Sequence, residues 1–249
     1  MEGGPRPVED FSEVFAAFKR SDEPILLVGG HAVNVWALSY CDRAASEIAP
    51  HEPLTSSDMD IYATRNAMLW LGRELGVEVR FAAPREIVLG EIEIDMDGRP
   101  FILEALRSVK GVTAAELAKA RALVEVAGNE ILVPLPHVLL KAKLANTLEL
   151  DQEGRQDIKH VKLLAIVLRE YLADILELAT PKTDREILQI IRDAVEVAMS
   201  EDADSFEKSH RFSFMKYLPL EAMASSTQKI ASFSKYEFRE RYGSRLGEE

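Results

Sequence analysis

Asp58 and Asp60, separated by Met59 and followed by Ile61, are the residue types and spacing in this chain best suited to chemistry. In a strand, alternate residues share a face, so both carboxylates point one way while Met59 and Ile61 point the other. At about 3.3 Å rise per residue their Cα atoms lie roughly 6.5–7 Å apart. Two carboxylates at that separation can share divalent cations, and hard oxygen ligands suit Mg²⁺ or Mn²⁺. Two like charges on one face repel unless a metal or solvent relieves them. Taken alone, the pair favours two solvated acids on an edge strand.

A phosphoryl or nucleotidyl transfer site also needs donors for the phosphates and a further acid. Gly29-Gly30 lies between a short apolar run, Ile25 to Val28, and a helical pattern from His31 to Tyr40. Glycine allows close backbone approach, so this turn can deliver N–H groups to a phosphate. Ser56 and Ser57 stand immediately before the acid pair. For the third acid, Asp95 shares an alternating face with Glu91, Glu93 and Asp97, which solvation explains. Glu104 stands alone among Ile102, Leu103, Ala105 and Leu106. An unpaired carboxylate in apolar surroundings is costly. Glu104 is therefore the better candidate, a water-exposed strand end being the ordinary alternative.

The elements that must position these groups follow from periodicity and turn residues. Phe11, Val14, Phe15 and Phe18 predict an amphipathic helix. Residues 41–55 read as a loop, 58–63 as a strand and 65–75 as a helix closed by Gly76. A strand is predicted over 77–82. Residues 87–96 and 101–106 form a hairpin about Asp97-Gly98. Thr113 and Glu116 predict a capping box opening a helix to Ala122. A second hairpin about Gly128-Asn129 joins 123–127 to 131–133. Thereafter the pattern is helical: 136–149, 156–172, and a helix from a second capping box, Thr183 to Glu186, to Met199. The run Glu201-Asp202-Ala203-Asp204 reads as a linker, the last forty or so residues as moderately amphipathic helices, and 243–249 as a frayed end. The expected fold is α/β (α+β): a mixed sheet flanked by helices over residues 1–134, then a helical domain over 135–249.

Composition bounds the function classes. The 249 residues carry a formal net charge of −12, which disfavours a broad nucleic-acid-coating surface. A local basic strip from Arg99, Arg107, Lys110, Lys141 and Lys143 would still serve one. Cys41 is the only cysteine, so neither a disulfide framework nor a cysteine zinc site is expected. No apolar run approaches the roughly 20 residues of a membrane span. Nothing in Met1 to Asp10 resembles a signal peptide, so a cytoplasmic location is expected.

In order, Ile25–Val28, Gly29-Gly30, the following helix, Asp58-Met59-Asp60 and Glu104 resemble the nucleotidyltransferase superfamily, the DNA polymerase β-like fold. The likeness is nearer to its minimal members and to the type IV toxin–antitoxin, or abortive-infection, members. Leu106-Arg107-Ser108-Val109-Lys110-Gly111 is similar to their Leu-x-x-Val-x-Gly segment. Leu140-Lys141-Ala142-Lys143-Leu144 is similar to their Leu-x-x-Lys-Leu helix, and Arg155-Gln156-Asp157 to a later Arg/Lys-Asp segment. The resemblance covers roughly residues 10–172.

The resemblance implies Asp58, Asp60 and Glu104 as catalytic metal ligands. It implies that Gly29, Gly30, Ser56, Ser57 and Lys143 hold the nucleotide. The implied reaction is Mg-dependent transfer of an NMP from an NTP to a hydroxyl of RNA, protein or a small alcohol, with release of pyrophosphate. Three features depart from the pattern. His31 stands where Ser or Thr commonly follows Gly-Gly; its ring either hydrogen-bonds a phosphate or is an ordinary helix-start residue. The 41–55 loop is long, and Glu104 replaces the usual Asp. The rival readings are a partner-binding protein that keeps the fold without the chemistry, and a metal-dependent phosphohydrolase.

Overall fold

The structure, a computed structural model, describes residues 4–247. Its strands in chain order are β1 (Arg6–Pro7), β2 (Leu26–Leu27), β3 (Thr55–Ser56), β4 (Asp58–Tyr62), β5 (Val79–Phe81), β6 (Val88–Met96), β7 (Arg99–Leu106), β8 (Arg121–Val126) and β9 (Asn129–Pro134). The principal helices are α1 (Ser12–Arg20), α2 (Gly29–Ser39), α3 (Ala45–Ile48), α4 (Arg65–Leu75), α5 (Ala114–Lys119), α6 (Pro136–Glu149), α7 (Asp157–Glu177), α8 (Asp184–Ala198) and α9 (Glu201–His210). Short helical turns carry the chain from Phe214 to Gly247.

Seven strands form one sheet in the order β5-β6-β7-β4-β2-β9-β8. β4 runs parallel to β7, and β2 parallel to β9, while the other pairs are antiparallel. The sheet is mixed, it is flanked by helices, and helices follow it. Alternation sets its two faces. Met59, Ile61, Phe101, Leu103 and Ala105 are buried on one face, against α1, α2 and α4. Asp58, Asp60, Tyr62, Ile102, Glu104 and Leu106 share the other and are only half-buried.

α7 is central to the packing of the later helices. It lies against α6 and α2, and Val161, Leu164, Val167, Leu168 and Leu172 are each at most 1% exposed. The larger hydrophobic core runs from Val8 through the sheet to Phe238, and a smaller cluster gathers Leu26, Val28, Leu117 and Val138.

The local signals act where expected. Thr113 and Glu116 exchange both bonds of a capping box. Thr64 caps α4 by accepting from the Ala67 N–H, and Gly76 closes it in the left-handed region at φ 69°. Asp97 and Gly98 turn the β6–β7 hairpin with φ of 58° and 74°, as a type I′ turn requires.

Several expectations are corrected. The second hairpin turns at Ala127-Gly128, one residue before the predicted centre, because Val126 pairs with Asn129. Ala127 therefore takes φ 49°, which costs an L-residue roughly 1 kcal/mol or more. Ala127→Gly is expected to stabilise the protein by about 0.5–1 kcal/mol in chemical denaturation, since glycine adopts that φ without a Cβ clash.

The second correction concerns Thr183, which makes no cap bond to α8; its hydroxyl is engaged with Thr180 and donates to the Leu178 carbonyl. Third, the acidic run 201–204 is the first turn of α9, with Ser200 accepting from the Ala203 N–H. Acids are favoured there because the helix N-terminus is the positive end of its dipole. Fourth, the 41–55 stretch holds α3, a 3-10 turn at Ala49–His51 and β3. The 113–122 helix ends at Lys119, since Arg121 already belongs to β8. Of the end predicted to fray, Gly243–Gly247 form a 3-10 turn and Glu248 and Glu249 lie outside the described residues.

Candidate active site

Strand register brings the three acids together. β4 and β7 align so that Asp60 lies opposite Glu104 and Asp58 opposite Ile102. Residues paired across neighbouring strands share a face, so Asp58, Asp60 and Glu104 converge there. One strand further out Glu91 lies opposite Glu104, and Arg80 opposite Glu91. Arg80 bonds Glu91 at 2.9 Å and Glu93 at 3.0 Å, which leaves Glu104 facing Asp60.

The Gly-Gly turn is tied to the same strand. The Val28 N–H donates to the Asp60 carbonyl at 2.9 Å, setting Gly29 directly beside the Asp60 side chain. Gly29 has φ 66°, and a Cβ there would overlap the Asp60 carboxylate well inside contact distance. Gly30 is equally confined: its Cβ would stand 2.7 Å from the Ser56 Oγ and 3.3 Å from His160. Both glycines are thus required by close approach of side chains to the backbone. Gly29→Ala combines strain at positive φ with displacement of Asp60. It is expected to cost about 2–3 kcal/mol of stability and nearly all activity. An unchanged melting temperature would count against this packing.

Electrostatics mark Asp60. Burial, first, and then the Asp58 charge and Glu104 raise its pKa, while Lys143 and Arg155 oppose them; it stands at about 7. Glu104 is raised too, by burial and then by Asp58 and Glu91. The face thus holds more negative charge than its own cations balance.

Lys143 is 7% exposed, and its Nζ donates to Asp157 Oδ1 at 2.8 Å. Asp157 is 2% exposed and also accepts from Arg155 at 2.6 Å and Asn146 at 3.3 Å. Burial works to raise the Asp157 pKa, but Lys143 and Arg155 outweigh it and hold the carboxyl ionised. Lys143 therefore reaches the acid face electrostatically with its ammonium already committed to a carboxylate.

The other candidates divide. The Ser56 hydroxyl donates to Asp58 Oδ1 at 3.2 Å, so it orients an acid. Ser57 is exposed, and no hydrogen bond ties it to the acids. His31 is fully buried on the core side, 5.0 Å from the Phe11 ring and 6.2 Å from that of Phe101, with its pKa lowered by burial to about 4. It is a neutral core residue and is not placed to bond a phosphate. Asn146 and His160 were not anticipated. Asn146 falls one helical turn after Lys143, and His160 one turn after Asp157, a spacing that puts each on the same face as its partner.

Three carboxylates, one of them desolvated and all repelling one another, offer the hard oxygens that suit Mg²⁺ or Mn²⁺ chemically. Among the described residues no group of three or more His, Cys, Asp or Glu stands as a ready-made metal cluster.

No protein-family model matches the chain, and no curated protein matches it. Among solved structures the chain is similar to a crystal structure from Thermotoga maritima, provisionally described as a nucleotidyltransferase. The identity is 18%, the TM-score is 0.33, and the match covers 50% of this chain and 74% of that one. Among the described residues no helix is long and apolar enough to cross a membrane.

Proposed function

We propose that this protein is a metal-dependent nucleotidyltransferase, transferring an NMP from an NTP to a hydroxyl acceptor with release of pyrophosphate. The observation that carries the reading is the convergence of Asp58, Asp60 and Glu104 on one sheet face beside the Gly29-Gly30 turn. When bound, Mg²⁺ or Mn²⁺ would neutralise phosphate charge and lower the pKa of the acceptor hydroxyl.

The chain's own residues do the rest. Asp58, oriented by Ser56, and Asp60, seated against Gly29, would hold the ions. Glu104, whose raised pKa favours proton uptake, would take the proton of the acceptor hydroxyl as its oxygen attacks the α-phosphorus. The turn N–H groups at Gly29 and Gly30 would approach the triphosphate, and Lys143 would add positive charge from behind. The acceptor class, whether RNA, protein or a small alcohol, is open. The likeness to type IV toxin–antitoxin members rests on the segments at 106–111, 140–144 and 155–157. A cytoplasmic location and a helical C-terminal domain from about residue 135 belong to the same reading.

One observation favours a partner-binding protein without catalysis: the Lys143 ammonium is already paired with Asp157 at 2.8 Å. Incubation with each α-labelled NTP, Mg²⁺ or Mn²⁺, and tRNA, protein or small alcohols separates the two. Label transfer that disappears in Asp58→Asn supports the transferase. Loss of label only from a γ-labelled nucleotide would indicate a phosphohydrolase, and no turnover of either label the binding protein.

A further inference from the structure

A cavity of about 430 Å³ lies away from the acid face, between α5, α6, α8 and the start of α9. That is within the size range of small-molecule sites, roughly 300–1,000 Å³. Its lining includes small apolar side chains, Ala115, Ala120, Val138 and Val197, which leave room for an aliphatic chain.

Charge distinguishes it from an ordinary surface recess. Glu116 is satisfied, by Lys141 at 2.6 Å and by the Thr113 cap. Among the described residues Asp193 is bonded only by the neutral Gln189 amide, at 2.8 Å. Among the described residues Asp193, Glu196 and Asp202 take part in no ion pair, and Lys119 is the one other cation on the wall. The lining thus carries three carboxylates outside any ion pair, Asp193 half-buried and Glu196 and Asp202 exposed, against one ammonium.

A second observation is independent of that charge. His137, on the first turn of α6, lines the cavity and is 4% exposed, and among the described residues its buried Nδ1 has no hydrogen-bond partner. Leaving a buried polar group unpaired costs about 1–3 kcal/mol. Burial holds its pKa down to about 4, so the ring is neutral at pH 7 and keeps one nitrogen as an acceptor. An acceptor next to unpaired carboxylates calls for a donor that is also a cation.

The arrangement discriminates between cations. The acids come from two helices and do not form a three-ligand cluster with the histidine, so a metal ion's point charge has no matching cage. Separated carboxylates along an apolar wall match a cation whose charges are spaced along a hydrocarbon chain. We propose that this cavity binds a small aliphatic polyamine, one ammonium donating to His137 and the others pairing with Asp193, Glu196 and Asp202.

The test uses the full chain without nucleotide or metal, titrated calorimetrically with spermidine and putrescine. MgCl₂ and tri-lysine at matched ionic strength serve as controls. Saturable one-to-one spermidine binding is expected, weakened at least tenfold in Asp193→Asn/Glu196→Gln and separately in His137→Phe. Should His137→Phe fail to fold by circular dichroism, the exposed-acid variant decides alone. The proposal is overturned by absent saturation, by binding indifferent to the acid substitutions, or by an equal response to MgCl₂. Tighter binding of tri-lysine would overturn it in favour of a basic peptide. None of these outcomes depends on the transferase reading.

Discussion

Asp60→Asn is expected to lower kcat/KM for nucleotide transfer by about 10³-fold or more, while making the metal-free protein more stable above pH 7. The asparagine keeps the shape beside Gly29 and removes the charge that burial and Asp58 oppose. The direction with pH follows from linkage. The folded-state pKa of Asp60, about 7, lies above the ordinary aspartate value. Between about pH 4 and 7 the folded chain therefore holds a proton there that the unfolded chain has released. Its contribution to stability is complete below about pH 4 and is lost as pH rises through 7.

Three pKa units correspond to about 4 kcal/mol, and residual water contact reduces this to roughly 2 kcal/mol. Denaturation of the metal-free wild type in EDTA should accordingly show stability falling over this window, and the asparagine variant should lack that component. Mg²⁺ or Mn²⁺ should restore the wild type at pH 8 and leave the variant unmoved. Superimposable stability–pH curves would remove the electrostatic basis for Asp60 as a metal ligand.

Lys143→Met should produce the largest loss of stability among single changes at the buried ion pair. Asp157, at 2% exposure, would retain Arg155 and Asn146 but lose its buried partner. Breaking such a pair costs about 3–5 kcal/mol, and with Arg155 retained the lower figure applies. In a chain of this size that lowers Tm by roughly 6–12 °C. Replacing both, Lys143→Met with Asp157→Leu, should recover most of the loss, because the pair's desolvation is then avoided. The two roles of Lys143 separate in the double variant. If the ammonium also serves the nucleotide, stability returns while KM for the NTP stays elevated. Recovery of both would reduce Lys143 to a structural residue.

The sequence made some of this legible because the signals were local. Alternation at Asp58–Tyr62, the glycine pair, the Thr113–Glu116 box and the Asp97-Gly98 turn each depend on a few neighbouring residues. Glu104 could be singled out because an acid flanked by apolar residues on both faces is anomalous within its own strand. Features fixed by distant contacts were not legible. The place of Ser56 before the acid pair says nothing of its hydroxyl being turned to Asp58. His31 sits at a glycine turn, yet the first turn of α2 carries its ring into the core beside Phe11 and Phe101. Lys143 and Asp157 lie on different helices, so nothing local announces their pairing. The run 201–204 misled because a helix start and a solvated linker both favour acids.

The 41–55 stretch gains a different meaning from what lies beneath it. α2 and α7 run side by side: Gly30 abuts His160 at one end, and Tyr40 donates to Asp174 at the other. The chain leaves α2 near Asp174 and must regain the level of Gly30 before Ser56 can reach Asp58. It is moored along the way by Arg43 to Glu170, Glu47 to Arg169, Pro53 to Lys159 and Thr55 to Gln156. This connection is the return leg of a round trip whose outward leg is α2, roughly 16 Å at 1.5 Å per residue. Its length is dictated by the helix it retraces, and α7 serves as the ruler. Shortening one leg without the other would pull the acid strand out of step with the glycine turn.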